Sequence, residues 1–236
     1  MTQKRDTINP YYLGFNLIYH RMLWDIHPYS WVSRKRVKTY KNKFCGQKAI
    51  ILCNGPSLKK VDFDSLAQQN IATFGLNKIN LLFSHTNFRP SFIVAVNPFV
   101  IEQNADFYNL TEIPLFLEAR GRRLIKFRKN IHFLHTKAIK SNFARDCSIG
   151  INQGFTVTYV AMQLAFHMGF KFVAVVGCDH HFVHQGQANK TLVSTNSDPD
   201  HFVANYFAKG QKWQFPDIPG SELHYQIANE IGRAHV

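Results

Sequence analysis

The sequence predicts an α/β fold built on a doubly wound, mostly parallel sheet, and three observations carry that prediction. Short, mainly apolar runs recur at Ala49–Cys53, Ile71–Asn77, Phe92–Pro98 and Phe172–Val176, as strands buried on both faces require. Each run stops at a turn bearing Asn, Gly or Asp. Before the last run lies Phe155–Met168, in which Val157, Val160, Ala161, Leu164 and Met168 recur at helical spacing. Strands alternating with helices in this way wind into a Rossmann-like sheet.

The elements follow in order. Residues 1–44 mix Tyr11, Tyr12, Phe15, Tyr19, Trp24, Tyr29 and Trp31 with His and Arg, which sets them apart as an aromatic and basic arm. Two readings stand for it: a helical arm packed on the domain, or an interfacial helix lying at the inner face of an anionic membrane. Residues 45–229 form the α/β domain. Weaker strands are predicted at Pro114–Leu117 and Ile131–Leu134, and Gly169 is placed to end the long helix. From Asp179 to Trp213 the chain is rich in His, Asn, Gly and Asp and reads as a lid-like loop. A last short helix is expected over Ser221–Asn229. Residues 230–236 are set aside: Ile231–Val236 is the translation of a common short-read sequencing adapter, so the natural chain is expected to continue differently.

At 236 residues and 45% hydrophobic composition the chain can bury one substantial core. Its 28 Lys and Arg against 15 Asp and Glu give a net charge of +13, which favours partners carrying phosphate or carboxylate. Nucleic acid is a poor candidate, because zinc-finger, helix-turn-helix and RNP motifs are all missing. Cys45, Cys53, Cys147 and Cys178 form no CxxC pair and read as reduced, structural thiols. No apolar segment has signal or membrane-span length, so a cytoplasmic protein is expected.

Ligands of doubly wound sheets bind outside the carboxyl ends of the strands. Asn54, Asn77, Asn97 and Asp179 stand at four such ends. After the first strand, Asn54-Gly55-Pro56-Ser57 offers a small residue for close approach, backbone N–H groups and a hydroxyl near a helix start, which together suit phosphate oxygens. It is neither a Walker loop nor a GxGxxG turn. Asp179-His180-His181 with His184 has the composition of a metal cluster; the carboxylate suits magnesium, the histidines zinc.

Three segments together carry a resemblance: Ile50–Leu58, Gly154–Thr158 and Met168–Asp179. They resemble two related families, the bacterial sialyltransferases that use CMP-sialic acid and the MptE-like 6-hydroxymethylpterin diphosphokinases. The second family also takes in bacterial surface-glycan and flagellin-modification proteins. The sialyltransferase resemblance implies that Asn54, Gly55, Pro56 and Ser57 meet the donor's phosphate and nucleotide, and that Asn77 and Asn97 contact ribose or base. Thr156 and Thr158 then lie at the start of the helix facing the donor. No cofactor is required, and the acceptor is a glycan or small molecule. His201, in Asp198-Pro199-Asp200-His201, is the candidate base; the register of the resemblance sets the family's histidine nearer Asn205 and leaves Tyr206 as a loose counterpart of its phosphate-holding tyrosines. The MptE-like resemblance implies instead ATP at the same turn, Mg2+ on Asp179 and transfer of diphosphate to a hydroxymethyl group. A nucleotide-binding protein without catalysis is the third reading.

Overall fold

The computed structural model describes residues 9–137, 143–179, 186–195 and 198–233. Asn9 accepts the N–H groups of Tyr11 and Tyr12 and, with Pro10 in the first turn, starts α1, Pro10–Asp25. His27 and Pro28 start α2, Pro28–Lys38, in the same manner. Both helices belong to the arm. No helix of the described residues is long and apolar enough to cross a membrane.

The sheet strands are β1 Lys48–Leu52, β2 Ala72–Leu76, β3 Phe92–Ala95, β4 Leu115–Glu118 and β5 Ile131–Leu134. Short helices fill the connections: α3 Phe63–Gln68 after β1, then α4 Pro98–Gln103 and α5 Ala105–Leu110 after β3. Two-residue strands β6 Thr136–Lys137 and β7 Ile151–Asn152 pair beside β5's exit and lead into α6, Val157–Met168. Gly169 ends α6 at φ +86°, in the left-handed region where glycine carries no Cβ penalty. β8, Phe172–Val176, then enters the sheet.

All six long strands run parallel in the order β5-β4-β3-β2-β1-β8. The chain therefore builds outward from β1 to β5, recrosses the sheet through α6 and adds β8 on β1's other side. The direction of winding reverses between β1 and β8, which makes that boundary the crevice where such sheets bind ligands. Alternate side chains feed two cores. Leu52, Ile93, Leu117 and Phe133 meet α3, α4 and α5 on one face, while Ile51, Phe74, Val94 and Phe116 meet α6 on the other.

α2 lies along the outer edge of β5. Its Ser33 hydroxyl accepts the Phe133 N–H at 3.2 Å, and Arg36 donates to the carbonyls of Arg128 and Ile131 at 2.7 and 3.2 Å. An edge strand is thereby covered. The arm is thus helical and packed on the domain through α2 and the buried Trp24, whose ring stacks on His135.

The lid departs from the sequence reading. β9, Thr191–Val193, and β10, Lys212–Gln214, form an antiparallel hairpin, and Phe202, Tyr206, Phe207, Trp213 and Phe215 join the core on the α3–α5 face. Isolated aromatics among polar residues show no periodicity, so their shared burial is visible only in three dimensions. α7, Ile218–Arg233, packs on α6 and is longer than expected.

Candidate functional site

At the β1–β8 crevice an open cavity of about 180 Å³ gathers residues from six separate stretches of chain. Asn54, Gly55, Asn77, Thr156, Thr158, Asp179 and His201, seven of the residues singled out in the sequence, line it. Pro56 and Ser57 lie just behind the wall in a short 3-10 turn, Pro56–Lys60. Asn97 lies outside the cavity lining: it caps α4 by accepting the Phe99 N–H at 2.9 Å and donates to Gln214 Oε1 at 3.1 Å.

Three N–H donors of the turn after β1 are already engaged. The Gly55 N–H donates to Gly177 O at 2.9 Å, the Ser57 N–H to Asp179 Oδ2 at 2.9 Å and the Leu58 N–H to Gly55 O at 3.1 Å. A carboxylate of the protein itself stands where the sequence reading put a donor phosphate. The glycine serves this same approach, since a Cβ on Gly55 would lie 2.3 Å from Asp179 Oδ2 and 2.7 Å from Gly177 O. The expectation of free N–H groups at this turn is corrected for Gly55 and Ser57 by the crossing of the β8 loop over it, which the local sequence does not encode.

Two amide oxygens are left over. Asn54 donates its Nδ2 to Leu76 O at 3.0 Å, and its main-chain oxygen takes the Phe202 N–H at 2.9 Å, so it ties the ends of β1 and β2 to the lid. Oδ1 of Asn54 and Oδ1 of Asn77 are both buried without a partner among the described residues. A buried unpaired acceptor costs about 1–3 kcal/mol, and both of these belong to residues that line the cavity. Asn77 sits at φ +48°, a left-handed position that asparagine tolerates.

His201 is held on three sides. Its Nδ1 lies 2.8 Å from Asp198 Oδ2, and its ring stacks flat on Tyr206 with centroids 4.0 Å apart and meets Phe207 edge-on. With Nδ1–H donated to the carboxylate, Nε2 is the ring's acceptor, the form a general base needs. Behind the stack, the buried Lys78 ammonium donates to Tyr206 O, Gln211 Oε1 and Gln103 Oε1 at 2.8, 2.9 and 2.7 Å. Burial lowers its pKa to about 8, against the pull of Asp198. The lid that carries His201 is thus pinned to the end of β2.

α6 starts at the far wall. Thr156 caps it by accepting the Thr158 N–H at 3.3 Å and exchanges a hydrogen bond with the Tyr225 hydroxyl at 3.2 Å. Phe155, just before it, has φ +60°, a sterically strained position for a bulky residue and of the kind that collects at functional sites. Cys53, beside Thr158, is a free buried thiol whose hydrogen bond with Cys178 and burial raise its pKa well above the usual value, so it stays protonated.

His180, His181 and His184 lie outside the described residues. Among the described residues there is no group of three His, Cys, Asp or Glu placed to hold a metal. Sequence reasoning missed Asp198 and Lys78. The three-residue spacing of Asp198 and His201 was a usable signal; nothing local marks the Lys78 ammonium as buried.

The sequence pattern of the family described as 6-hydroxymethylpterin diphosphokinase MptE-like matches residues 28–185, about two thirds of the chain. The chain belongs to the MptE-like family. The matched span contains α2 through β8 and the turn between Asn54 and Ser57, and it supports a transferase-like role. A solved structure, the MAf glycosyltransferase from Magnetospirillum magneticum AMB-1, is similar at 14% identity and a TM-score of 0.49 over 84% of this chain. The chain spans about a third of that protein's length, 34%. No curated protein matches the sequence.

Proposed function

We propose that the protein transfers a sugar from a nucleotide-activated donor to a hydroxyl of a glycan or small-molecule acceptor, in the manner of the CMP-sialic-acid enzymes it resembles. The observation that carries this reading is that His201, with Asp198 on its Nδ1, lines one cleft with Asn54 and Asn77, each of which has an unpaired amide oxygen. Asn54 Oδ1 and Asn77 Oδ1 accept from the donor's exocyclic amine or ribose hydroxyls. The donor phosphate sits toward Thr156, Thr158 and the positive end of α6, because the turn after β1 is already filled by Asp179. His201 Nε2 takes the proton of the acceptor hydroxyl as its oxygen bonds to the anomeric carbon. The bond from that carbon to the phosphate oxygen breaks, and the nucleoside monophosphate leaves with the electron pair.

Family membership favours a second reading, diphosphoryl transfer from ATP to a hydroxymethyl group. Asp179 and Asp200 are the carboxylates the cleft offers to Mg2+, and one or two carboxylates with donor phosphates are how that ion is commonly held.

Thermal melts with CMP, CDP, UDP and ATP, each with and without Mg2+, separate the readings. Ligand at about a hundred times its Kd stabilises by roughly 2.7 kcal/mol, or about 5–10 °C for a chain of this size. A shift with CMP and no metal supports sugar transfer, and one with ATP only in the presence of Mg2+ supports diphosphoryl transfer. Cooperative melting without response to any nucleotide overturns both. Binding with no turnover of donor, and no effect of His201→Ala, leaves a nucleotide-binding protein.

A further inference from the structure

α1 is amphipathic in the inverted sense. Its charged side chains point at the protein: Arg21 donates to the carbonyl of Ile149 and pairs with Asp25 at 2.7 Å, and Asp25 also takes Arg34 at 3.1 Å. Trp24 is buried against the domain, but most of the other described apolar side chains point away. Tyr12, Phe15, Tyr19, Met22 and Ile26 recur at alternating three- and four-residue spacing and, with Ile18, are between 48% and 68% exposed. A helix on a water-facing surface shows the opposite arrangement.

The surroundings of this stripe are basic. From Asn9 to Phe44 the acidic side chain is Asp25 alone, already paired, against seven Lys and Arg. Lys35 and Lys38 are exposed on α2. At the α1–α2 corner Tyr29 stacks on Phe127 at 4.4 Å and His27 feels the charge of Arg122, so the loop carrying exposed Arg123, Lys126 and Lys129 adjoins the same corner. A second copy of the chain would set like charges against like. Anionic lipid headgroups complement them, and aromatic side chains prefer the depth at which headgroups meet acyl chains.

We propose that the outward face of α1, with the basic residues beside it, docks the protein onto an anionic membrane surface without crossing it. α1 touches the segment at Ile149 that leads directly to Phe155 and Thr156, so docking fixes the cleft relative to the lipid plane.

The test is co-sedimentation of the full chain with vesicles of phosphatidylcholine alone or with about one third phosphatidylglycerol. The anionic vesicles should pellet the protein at least about tenfold more strongly, and salt should weaken the binding. Phe15→Ser with Met22→Ser should reduce it by about tenfold or more while the thermal melt is unchanged, since both side chains are exposed. The proposal is overturned if the native chain stays in the supernatant with every vesicle. It is equally overturned if the double variant pellets like the native chain, or if the substitutions break a dimer that binds no vesicle.

Discussion

Replacing Gly55 by alanine tests what the glycine in the β1 turn is for. Its φ of −73° and ψ of 166° suit any residue, so the substitution brings no dihedral strain. The cost comes from contacts: the new Cβ lies 2.7 Å from the Gly177 carbonyl, which is backbone, and 2.3 Å from Asp179 Oδ2, which can rotate away. Relieving the first contact means separating β1's exit from β8's and weakening the 2.9 Å bond from the Gly55 N–H to Gly177 O. Overpacking of this kind costs about 1–3 kcal/mol, which for a chain of this length lowers Tm by roughly 4–8 °C at the middle of the range. Melting of the ligand-free protein, followed by circular dichroism, reads the effect. In an Asp179→Ala background Gly55→Ala should cost less, with the Gly177 share remaining. If ligand-free Gly55→Ala melts within about 1 °C of the native chain, the glycine is not there for protein packing and the reasoning fails.

Asp198→Asn should lower the rate of transfer by about ten- to a hundredfold through loss of the His201 tautomer, while leaving the CMP-induced thermal shift intact; an unchanged rate removes the pair from the mechanism. His132 is buried against the rings of Tyr40 and Phe116, and burial, with the charge of Arg36, lowers its pKa to about 4 from 6.5. The unfolded chain therefore binds more protons between those values, so stability is fully present above pH 6.5 and falls toward pH 4, by about 3 kcal/mol for this group. His135, less deeply buried and also lowered to about 4, adds a smaller, solvent-screened share. His132→Phe should flatten most of that fall in urea-unfolding midpoints measured from pH 7 to 4; an unaltered slope would refute it.

Periodicity made the frame legible. Ala49–Cys53, Phe92–Pro98, Ile131–Leu134 and Phe172–Val176 are strands to within two or three residues, and Gly169 ends α6 as its position suggested. Burial on both faces writes the continuous apolar runs of the inner strands, and burial on one helical face writes a 3.6-residue repeat, so both survive in one dimension; Phe172–Val176 is equally apolar, yet β8 lies at the sheet edge with Phe172 and Val173 exposed. Strand-end placement also brings Asn54, Asn77 and Asp179 to one cavity, because parallel winding sends every strand's carboxyl end to the same edge, while Asn97, at a fourth strand end, caps α4 outside it.

Tertiary structure decided the rest. Only the crossing of the β8 loop over the β1 turn shows that Asp179 takes the Ser57 N–H. Only the docking of residues 198–215 on the sheet end sets Lys78 behind Tyr206 and Asp198 beside His201. The direction in which α1 faces is of the same kind: its composition reads alike whether the aromatic stripe turns toward the domain or away from it. By itself the sequence determined where the main strands and α6 run and where the polar strand ends lie. Which polar groups meet, and which are left unpaired in the cleft, depends on contacts between residues more than a hundred positions apart, such as Ser57 with Asp179 and Lys78 with Tyr206.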